Sequence, residues 1–208
     1  GKTDFRLLQE IYSQNEESRP IAQIADKLHP WAAFIFAGST FPKGYSSETG
    51  ADMLLINAAA DINKPRGSLE SLDDVTAIFK AQPEETMLNF LKASIKTNKE
   101  ETEDIKKLHQ AYSDGRFEEL IPLLEETEQR TLKLVDTKYS KAMSNWLKND
   151  LLIRRNLAWL PEIRKQSAKQ STLFAVGIAH LPSEKGLIEL LRQEGYQVTP
   201  EPKVLIWQ

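Results

Sequence analysis

Hydrophobic residues recur at three- and four-residue intervals through the first thirty positions, which is the spacing of a helix with one buried face. The repeating positions are Phe5, Leu7, Leu8 and Ile11, followed by Ile21, Ile24, Ala25 and Leu28. Pro30 interrupts the second run, and the apolar stretch 31–37 predicts a short buried helix. After a loop rich in glycine and serine, Ala51–Ile62 predicts another buried helix, which the turn at 63–65 stops.

The middle of the chain, from about 73 to 170, has the pattern of long amphipathic helices, with Glu and Lys filling the faces opposite the apolar ones. Asp114-Gly115 supplies a stop signal between two of them. Pro122 either bends the next helix or sits in its first turn. Just before this region, Gly67–Leu72 is consistent with a short strand or an extended turn.

The last forty residues change character. Three short runs predict strands, namely Leu173–Val176, Tyr196–Thr199 and Val204–Trp207. Between the first two, Ser183 predicts the N-cap of a helix through Leu187 and Leu191, and Gly195 predicts its end. A succession of strand, loop, helix and strand is typical of an α/β sheet.

We therefore predict an α/β (α+β) fold, in which a small mixed β-sheet is flanked by helices and a large helical lobe lies in the middle of the chain. The chain forms a single domain, residues 1–208, with the helical insertion over 73–170. It opens GKTDFRLLQE, without a methionine and inside a helical pattern. We therefore expect a fragment or a processed product that lacks an amino-terminal part.

Composition narrows the class of function. Apolar residues make up 40% of the chain and charged residues 27%, which is a globular mixture. The net charge of −3 offers no basic surface, so we predict no nucleic-acid partner. The absence of cysteine excludes disulfides, thiolate nucleophiles and zinc–thiolate sites. No run reaches the roughly 18 consecutive apolar residues of a membrane-spanning helix.

The most pointed chemical feature is the stretch AVGIAHLPSEKG at 175–186. Gly177 and His180 lie on the loop that leaves a predicted strand, and ligands gather at such loops in α/β sheets. Glycine allows a turn or a close backbone approach, and an imidazole can act as a metal ligand or a general base. The alternative is a histidine that bonds a nearby carbonyl and holds the loop.

The other histidines and the tryptophans carry weaker signals. His29 precedes Pro30 in a turn and His109 lies on a charged helix, so both are interpreted as surface or structural residues. The tryptophans are interpreted as core anchors, because no basic groove accompanies them. They are Trp31, Trp146, Trp159 and Trp207.

Four stretches together resemble the TraB/PrgY/GumN family. The most specific is VGIAHLPSEKGLIELLRQEGYQVTP, which is similar to the family's carboxyl-terminal signature. RRNLAWLPEIRK resembles its Arg-Asn helix, GADMLLINAAADINKPRGSLES its helix with an aspartate, and ADKLHPWAAF a segment nearer the amino terminus. The resemblance spans nearly the whole chain in the expected order.

This resemblance implies a grouping with the Tiki metalloproteases and with erythromycin-esterase-like and ChaN-like proteins, whose pocket combines two G-x-x-H motifs, an acid and an arginine. Gly177 and His180 match the second motif, and Arg155 and Asn156 match the Arg-Asn pair. Asp52 and Glu70 match the internal acids. The first G-x-x-H has no counterpart here, which favours a fragment. A divalent metal, manganese, cobalt or zinc, is therefore expected to bind His180 weakly or not at all in this chain alone.

Each matched residue keeps a structural alternative. Arg155 either clamps a carboxylate or oxyanion, or pairs with an acid such as Glu70. Asn156 orients a ligand or a water, or it satisfies backbone groups. Asp52 begins a helix, where a carboxylate stabilises exposed amides, and this role is favoured over catalysis. Glu70 is a buried-acid candidate between Leu69 and Leu72.

We predict, from the resemblance, a metal-dependent hydrolase of the peptidase type whose site is incomplete in this chain. The alternative is a non-catalytic peptide-binding or regulatory module of the PrgY type, and a third reading is a structural fragment. The partners implied are a peptide or another small acyl substrate, and either a second copy of the chain or the missing amino-terminal segment. The resemblance also implies an exported, periplasmic location.

Overall fold

A computed structural model describes residues 2–14, 16–39 and 44–200, and within these ranges the regular structure is helical. The α-helices in this part of the chain are α1 (Lys2–Tyr12), α2 (Arg19–Ala22), α3 (Pro30–Gly38), α4 (Ala51–Asp61), α5 (Leu72–Lys80), α6 (Glu84–Ser113), α7 (Leu120–Leu134), α8 (Thr137–Asn145), α9 (Arg154–Ser167) and α10 (Leu187–Gln193). A π-helical segment, Trp146–Ile153, precedes α9. None of the helices described is long and apolar enough to cross a membrane.

The chain divides into two compact units, Gly1–Trp146 and Leu147–Gln208. In the first unit α6 is the central element and packs on α1, α3, α7 and α8. Trp146 is almost fully buried. The centroid of its ring lies 5.2 Å from the ring centroid of Phe79 and 5.8 Å from that of Phe90. The indole nitrogen of Trp146 donates to the carbonyl of Ile78 at 3.4 Å. These aromatic rings pack together inside the first unit.

The amino-terminal helices confirm the predicted amphipathic spacing in part, since Leu7 and Ile24 of the predicted face are exposed. Leu8 and Ile11 of α1 are buried together with Leu91 and Ile95 of α6. Tyr12 is fully buried and donates from its hydroxyl to the carbonyl of Ala33 at 2.7 Å. The helix predicted over 31–37 is present as α3.

A polar layer joins α6 to α7 in the same unit. Asp104 is buried and accepts hydrogen bonds from Thr127 at 2.9 Å and from Arg130 at 2.6 Å. Burial opposes the charge of Asp104, but these bonds outweigh it and lower the pKa of its carboxyl. Burial raises the pKa of Glu101, one turn earlier, and the charge of Asp104 adds to that rise. The pKa of Glu101 is therefore raised and the pKa of Asp104 is lowered from their ordinary values.

The predicted α/β fold is wrong, because no strand is present within residues 2–14, 16–39 and 44–200. Leu173–Val176 and Tyr196–Thr199 are irregular, and Leu173 is 74% exposed rather than buried. A strand needs a neighbour to satisfy its backbone groups, and these two segments form no ladder with each other. Val204–Trp207, the third predicted strand, lies outside the described residues.

Several local predictions are corrected in the same way. The buried helix predicted over Ala51–Ile62 is present as α4, Ala51–Asp61, but it is exposed, with Leu54 59% accessible and Ile62, its C-cap, 65% accessible. Ser183 does not cap α10, since it has a φ of 81° and the N-cap is Gly186. Gly195 does follow the end of that helix, with a φ of 89°. Of the two structures considered for residues 67–72, the strand is absent.

Two further predictions about the helices are confirmed. Pro122 sits in the first turn of α7, where a missing backbone N–H costs no intrahelical bond. Asp114 and Gly115 follow the end of α6. The prediction of one domain with a helical lobe over 73–170 stays a prediction.

Candidate functional site

His180 lies in the second unit, at the end of a short 3-10 turn, Ile178–His180, that follows the irregular segment after α9. Gly177 is the N-cap of this turn. The side chain of His180 is buried, with 6% of the residue exposed. Its ring packs against Trp159 of α9, with the ring centroids 4.5 Å apart.

Asn156 of α9 binds the loop at three points. Its amide nitrogen donates to the carbonyl of His180 at 3.2 Å and to the carbonyl of Lys185 at 2.8 Å. Its amide oxygen lies 2.7 Å from Nδ1 of the His180 ring. Asn156 is 2% exposed, and its two contacts with His180 are buried, whereas its bond to Lys185 is partly buried. The alternative in which this asparagine satisfies backbone groups is therefore realised, together with a contact to the imidazole.

These contacts assign the proton on the imidazole. Because both amide hydrogens of Asn156 have carbonyl acceptors, its oxygen must face His180, and a carbonyl oxygen only accepts. Nδ1 of His180 therefore carries a proton and donates a hydrogen bond to the amide oxygen of Asn156. In the neutral ring, Nε2 then presents a lone pair. This is the nitrogen with which the imidazole can accept a proton or bind a metal.

Arg155 stands on the Nε2 side of the ring. Its Nη1 lies 3.4 Å from Nε2 of His180 and donates to the carbonyl of Leu151 at 3.0 Å. The guanidinium also lies over the indole of Trp159, with Cζ 5.1 Å from the ring centroid. Arg155 is partly exposed, whereas Arg154 points elsewhere and is 77% exposed beside Asp150. Arg155 thus places a permanent positive charge beside the acceptor nitrogen.

The spacing on α9 explains why these side chains meet. Arg155 and Trp159 are four residues apart, and Asn156 and Trp159 are three apart, so they are neighbours on one side of the helix. Trp159, Leu160 and Ile163 are buried, which fixes the rotation of α9 in its unit.

The two glycines of the loop have different structural requirements. A Cβ at Gly177 would meet only Cδ2 of His180, at 3.7 Å, which is an ordinary contact. A Cβ at Gly186 would come within 1.9 Å of the carbonyl oxygen of Pro182. Only Gly186 is therefore required by the loop itself.

A surface groove of about 560 Å³ lies in the same unit, along the loop that follows His180. It is lined by the loop 181–185 and by one face of α10, including Ile188, Glu189 and Arg192. Leu181, the residue after His180, forms part of its wall.

The family model for TraB/PrgY/gumN matches residues 1–200. The chain belongs to the TraB/PrgY/gumN family. This confirms the family predicted from the sequence motifs, whereas the wider grouping with Tiki and the other proteins stays a prediction. No curated protein matches the chain, and no solved structure does.

The other residues matched to this family belong to the first unit. Asp52 lies in the first turn of α4 and is exposed, and its carboxylate lies close to Gly50, the N-cap of that helix. Glu70 is partly buried and precedes Ser71, which caps α5. Leu72 is 78% exposed, so the apolar neighbourhood expected around Glu70 is only partly present. Arg155, Asn156, Gly177 and His180 all lie in the second unit.

Within residues 2–14, 16–39 and 44–200, no group of three or more His, Asp or Glu side chains is placed to hold a metal ion. His29 is the N-cap residue of α3, and the ring of His109 contacts Tyr45 at 5.2 Å, consistent with surface roles for both.

Trp159 is the member of the cluster that sequence reasoning assigned only to the core. It is buried, with 4% exposed, as a core anchor would be, but it touches both Arg155 and His180. Its position four residues after Arg155 on a helix is the sequence signal that could have found it.

Proposed function

We propose that this TraB/PrgY/gumN protein hydrolyses a peptide or related acyl bond, with Nε2 of His180 as the reacting nitrogen. The observation that carries the proposal is the bond from Nδ1–H of His180 to the oxygen of Asn156, at 2.7 Å. Catalytic and metal-binding histidines are commonly oriented in this way, by an oxygen that accepts from the second ring nitrogen. Asn156 is the orienting group, and Nε2, beside Nη1 of Arg155, is the nitrogen that reacts in this proposal.

Arg155 supplies the second part of the proposed site. When a carbonyl is attacked, negative charge develops on its oxygen, and a fixed cation stabilises that charge. The guanidinium of Arg155 is held beside Nε2 by the carbonyl of Leu151 and by the face of Trp159. In this proposal Nε2 of His180 accepts a proton from a water molecule as the oxygen of that water adds to the carbonyl, and Arg155 binds the oxyanion that forms. His180 then returns the proton to the leaving amine or alcohol as the acyl bond breaks.

The family resemblance implies a divalent metal, and His180 fits one ligand position because its Nδ1–H is already bonded to an oxygen. Such a metal would supply a bound water that ionises near neutral pH. Catalytic zinc takes about three protein ligands. In this proposal the others come from a second chain. Arg155 would also have to withdraw from Nε2, so we expect weak metal binding by this chain alone.

The second candidate function is capture of a peptide without hydrolysis. The distance of 3.4 Å between Nη1 of Arg155 and Nε2 of His180 favours it, because the guanidinium stands where an incoming metal ion would approach the lone pair. A guanidinium beside a neutral imidazole suits a carboxylate better than a cation. The partner implied is again a peptide or small acyl compound. An exported location belongs to the same proposal.

The deciding experiment measures binding and turnover in parallel. The 208-residue chain is incubated with fluorogenic peptide and ester substrates, with and without manganese, cobalt or zinc, and peptide binding is followed by calorimetry. His180→Ala should abolish turnover, whereas His29→Ala, at an exposed position with no side-chain cap bond, should leave it unchanged. Binding without turnover under every condition would replace the hydrolase by the capture module. Neither binding nor turnover would contradict both.

A further inference from the structure

Trp159 has a hydrogen-bond donor with no acceptor in the part of the chain that the structure describes. Its indole Nε1 is buried from solvent and makes no hydrogen bond there. A buried indole N–H normally has a hydrogen-bond acceptor, since burying the N–H without one costs free energy. Each such exception in a folded protein therefore calls for an explanation.

The polar atoms around Trp159 make this exception specific. Both ring nitrogens of His180 have a polar neighbour, and the amide of Asn156 makes three contacts. Trp146, a second tryptophan that is almost fully buried, donates to a carbonyl in the first unit. The unmet donor therefore lies among the residues already assigned to the candidate site.

We propose that Nε1 of Trp159 is a ligand-binding donor that takes an acyl oxygen, either a carbonyl or a carboxylate oxygen of the bound molecule. An indole N–H only donates, so its partner must be an acceptor. The guanidinium of Arg155 over the same ring adds a permanent positive charge, which selects an oxygen that carries or develops negative charge. Arg155 is the partly exposed member of the cluster, so the oxygen enters beside its guanidinium.

This inference rests on the proposed function, because it names a substrate-binding residue of that site. It predicts a two-donor arrangement, with Arg155 and Trp159 on the same oxygen or on the two oxygens of one carboxylate. Neither bond requires hydrolysis, so the donor serves the hydrolase and the capture module alike.

The test uses N-acetyl-alanyl-alanine and its carboxyl-terminal amide as probes. The indole N–H resonance of Trp159 is assigned by its loss in Trp159→Phe, and each probe is titrated into the 15N-labelled chain. We expect a downfield shift of this resonance on binding, and a roughly tenfold higher Kd in Trp159→Phe. A shift with both probes assigns the acceptor to a carbonyl, and a shift with the acid alone assigns it to the carboxylate.

The matched control is Trp146→Phe, which also removes a buried indole but leaves this cluster intact. It should lower stability without changing the Kd of either probe. The inference is overturned if millimolar probe leaves the Trp159 resonance unmoved, or if the free protein already shows that N–H bonded to a trapped water. Because the readout is binding, a shift with no turnover would sink the hydrolase and keep the inference. Turnover by the wild type, together with an unchanged Kd in Trp159→Phe, would overturn the inference and support the hydrolase.

Discussion

Asn156 and His180 bind each other through both the backbone and the side chain. The amide nitrogen of Asn156 donates to the carbonyl of His180 at 3.2 Å, while its amide oxygen lies 2.7 Å from Nδ1 of the imidazole. The same residue therefore fixes the position of the loop and the tautomer of the ring. The structural and the chemical interpretations of this histidine do not exclude one another.

Replacing Asn156 by aspartate separates these two roles. A carboxylate still accepts from Nδ1 of His180 but no longer donates to the carbonyls of His180 and Lys185. We expect a loss of about 2–3 kcal/mol in the free energy of unfolding, since one buried and one partly buried carbonyl lose their donor. Urea denaturation measures it. Asn57→Asp, at an exposed position of α4, is the control and should change stability by less than about 0.5 kcal/mol. Equal effects of the two substitutions would contradict the binding described for Asn156.

The two loop glycines should respond oppositely to alanine. Gly186→Ala forces a Cβ to within 1.9 Å of the carbonyl oxygen of Pro182, so we expect a loss of more than about 2 kcal/mol. Gly177→Ala makes only an ordinary contact with the ring of His180 and should cost less than about 0.5 kcal/mol. Thermal unfolding of both variants decides this. If Gly177→Ala proved as damaging as Gly186→Ala, the described loop conformation would be incorrect.

The effect of Gly177→Ala on ligand binding is a separate prediction. The new methyl group would lie against Cδ2 of His180, at the edge of the ring. Because the loop itself tolerates a side chain there, a strong loss of peptide binding or turnover in a stably folded Gly177→Ala would show that a ligand uses the space. Calorimetry measures peptide binding by the variant, once its melting temperature has been shown to equal that of the wild type. Unchanged binding would remove Gly177 from the proposed site.

Helices could be predicted from the sequence, whereas the predicted sheet is absent within residues 2–14, 16–39 and 44–200. The three-residue spacing of Leu8 and Ile11 predicts a buried helical face, and both side chains are buried in the structure. A four-residue apolar run such as Leu173–Val176 carries no such periodicity, and its interpretation as a strand assumed a partner strand. The exposed side chain of Leu173 shows that apolar composition alone did not imply burial.

The candidate site was predictable only as a set of residues. Motif resemblance selected Arg155, Asn156 and His180, and the structure brings these three together. The motif resemblance could not reveal that Asn156 binds two carbonyls, or that the N–H of Trp159 is left without an acceptor within the described ranges. Both facts depend on where α9 lies against a loop about 25 residues further along the chain, which local sequence does not encode.

The α6–α7 interface should make stability depend on pH. Burial raises the pKa of Glu101 above its ordinary value, so its protonated form is favoured in the folded state. That stabilisation is present below the unfolded pKa and is lost as the pH rises through the folded pKa. Glu101→Gln should therefore stabilise the protein more at pH 8 than at pH 4.5, as measured by urea denaturation at both values.

Asp104→Asn provides the opposite control at the same interface. Bonds from Arg130 and Thr127 lower the pKa of Asp104 despite its burial, so its contribution is present at neutral pH and is lost as the pH falls through the folded pKa. The substitution should be destabilising at pH 8 and progressively less so in acid. If both substitutions shifted stability in the same direction at pH 8, the assigned roles of these two carboxyls would be wrong.

The most direct test of the account is the protonation of the two ring nitrogens of His180, read from long-range 1H–15N correlations at pH 8, where an ordinary imidazole is neutral. The signals are assigned by comparison with His180→Ala. We predict a protonated, pyrrole-type Nδ1 and an unprotonated, pyridine-type Nε2. A protonated Nε2 would contradict the bond to Asn156 and leave no lone pair beside Arg155 for the proposed chemistry.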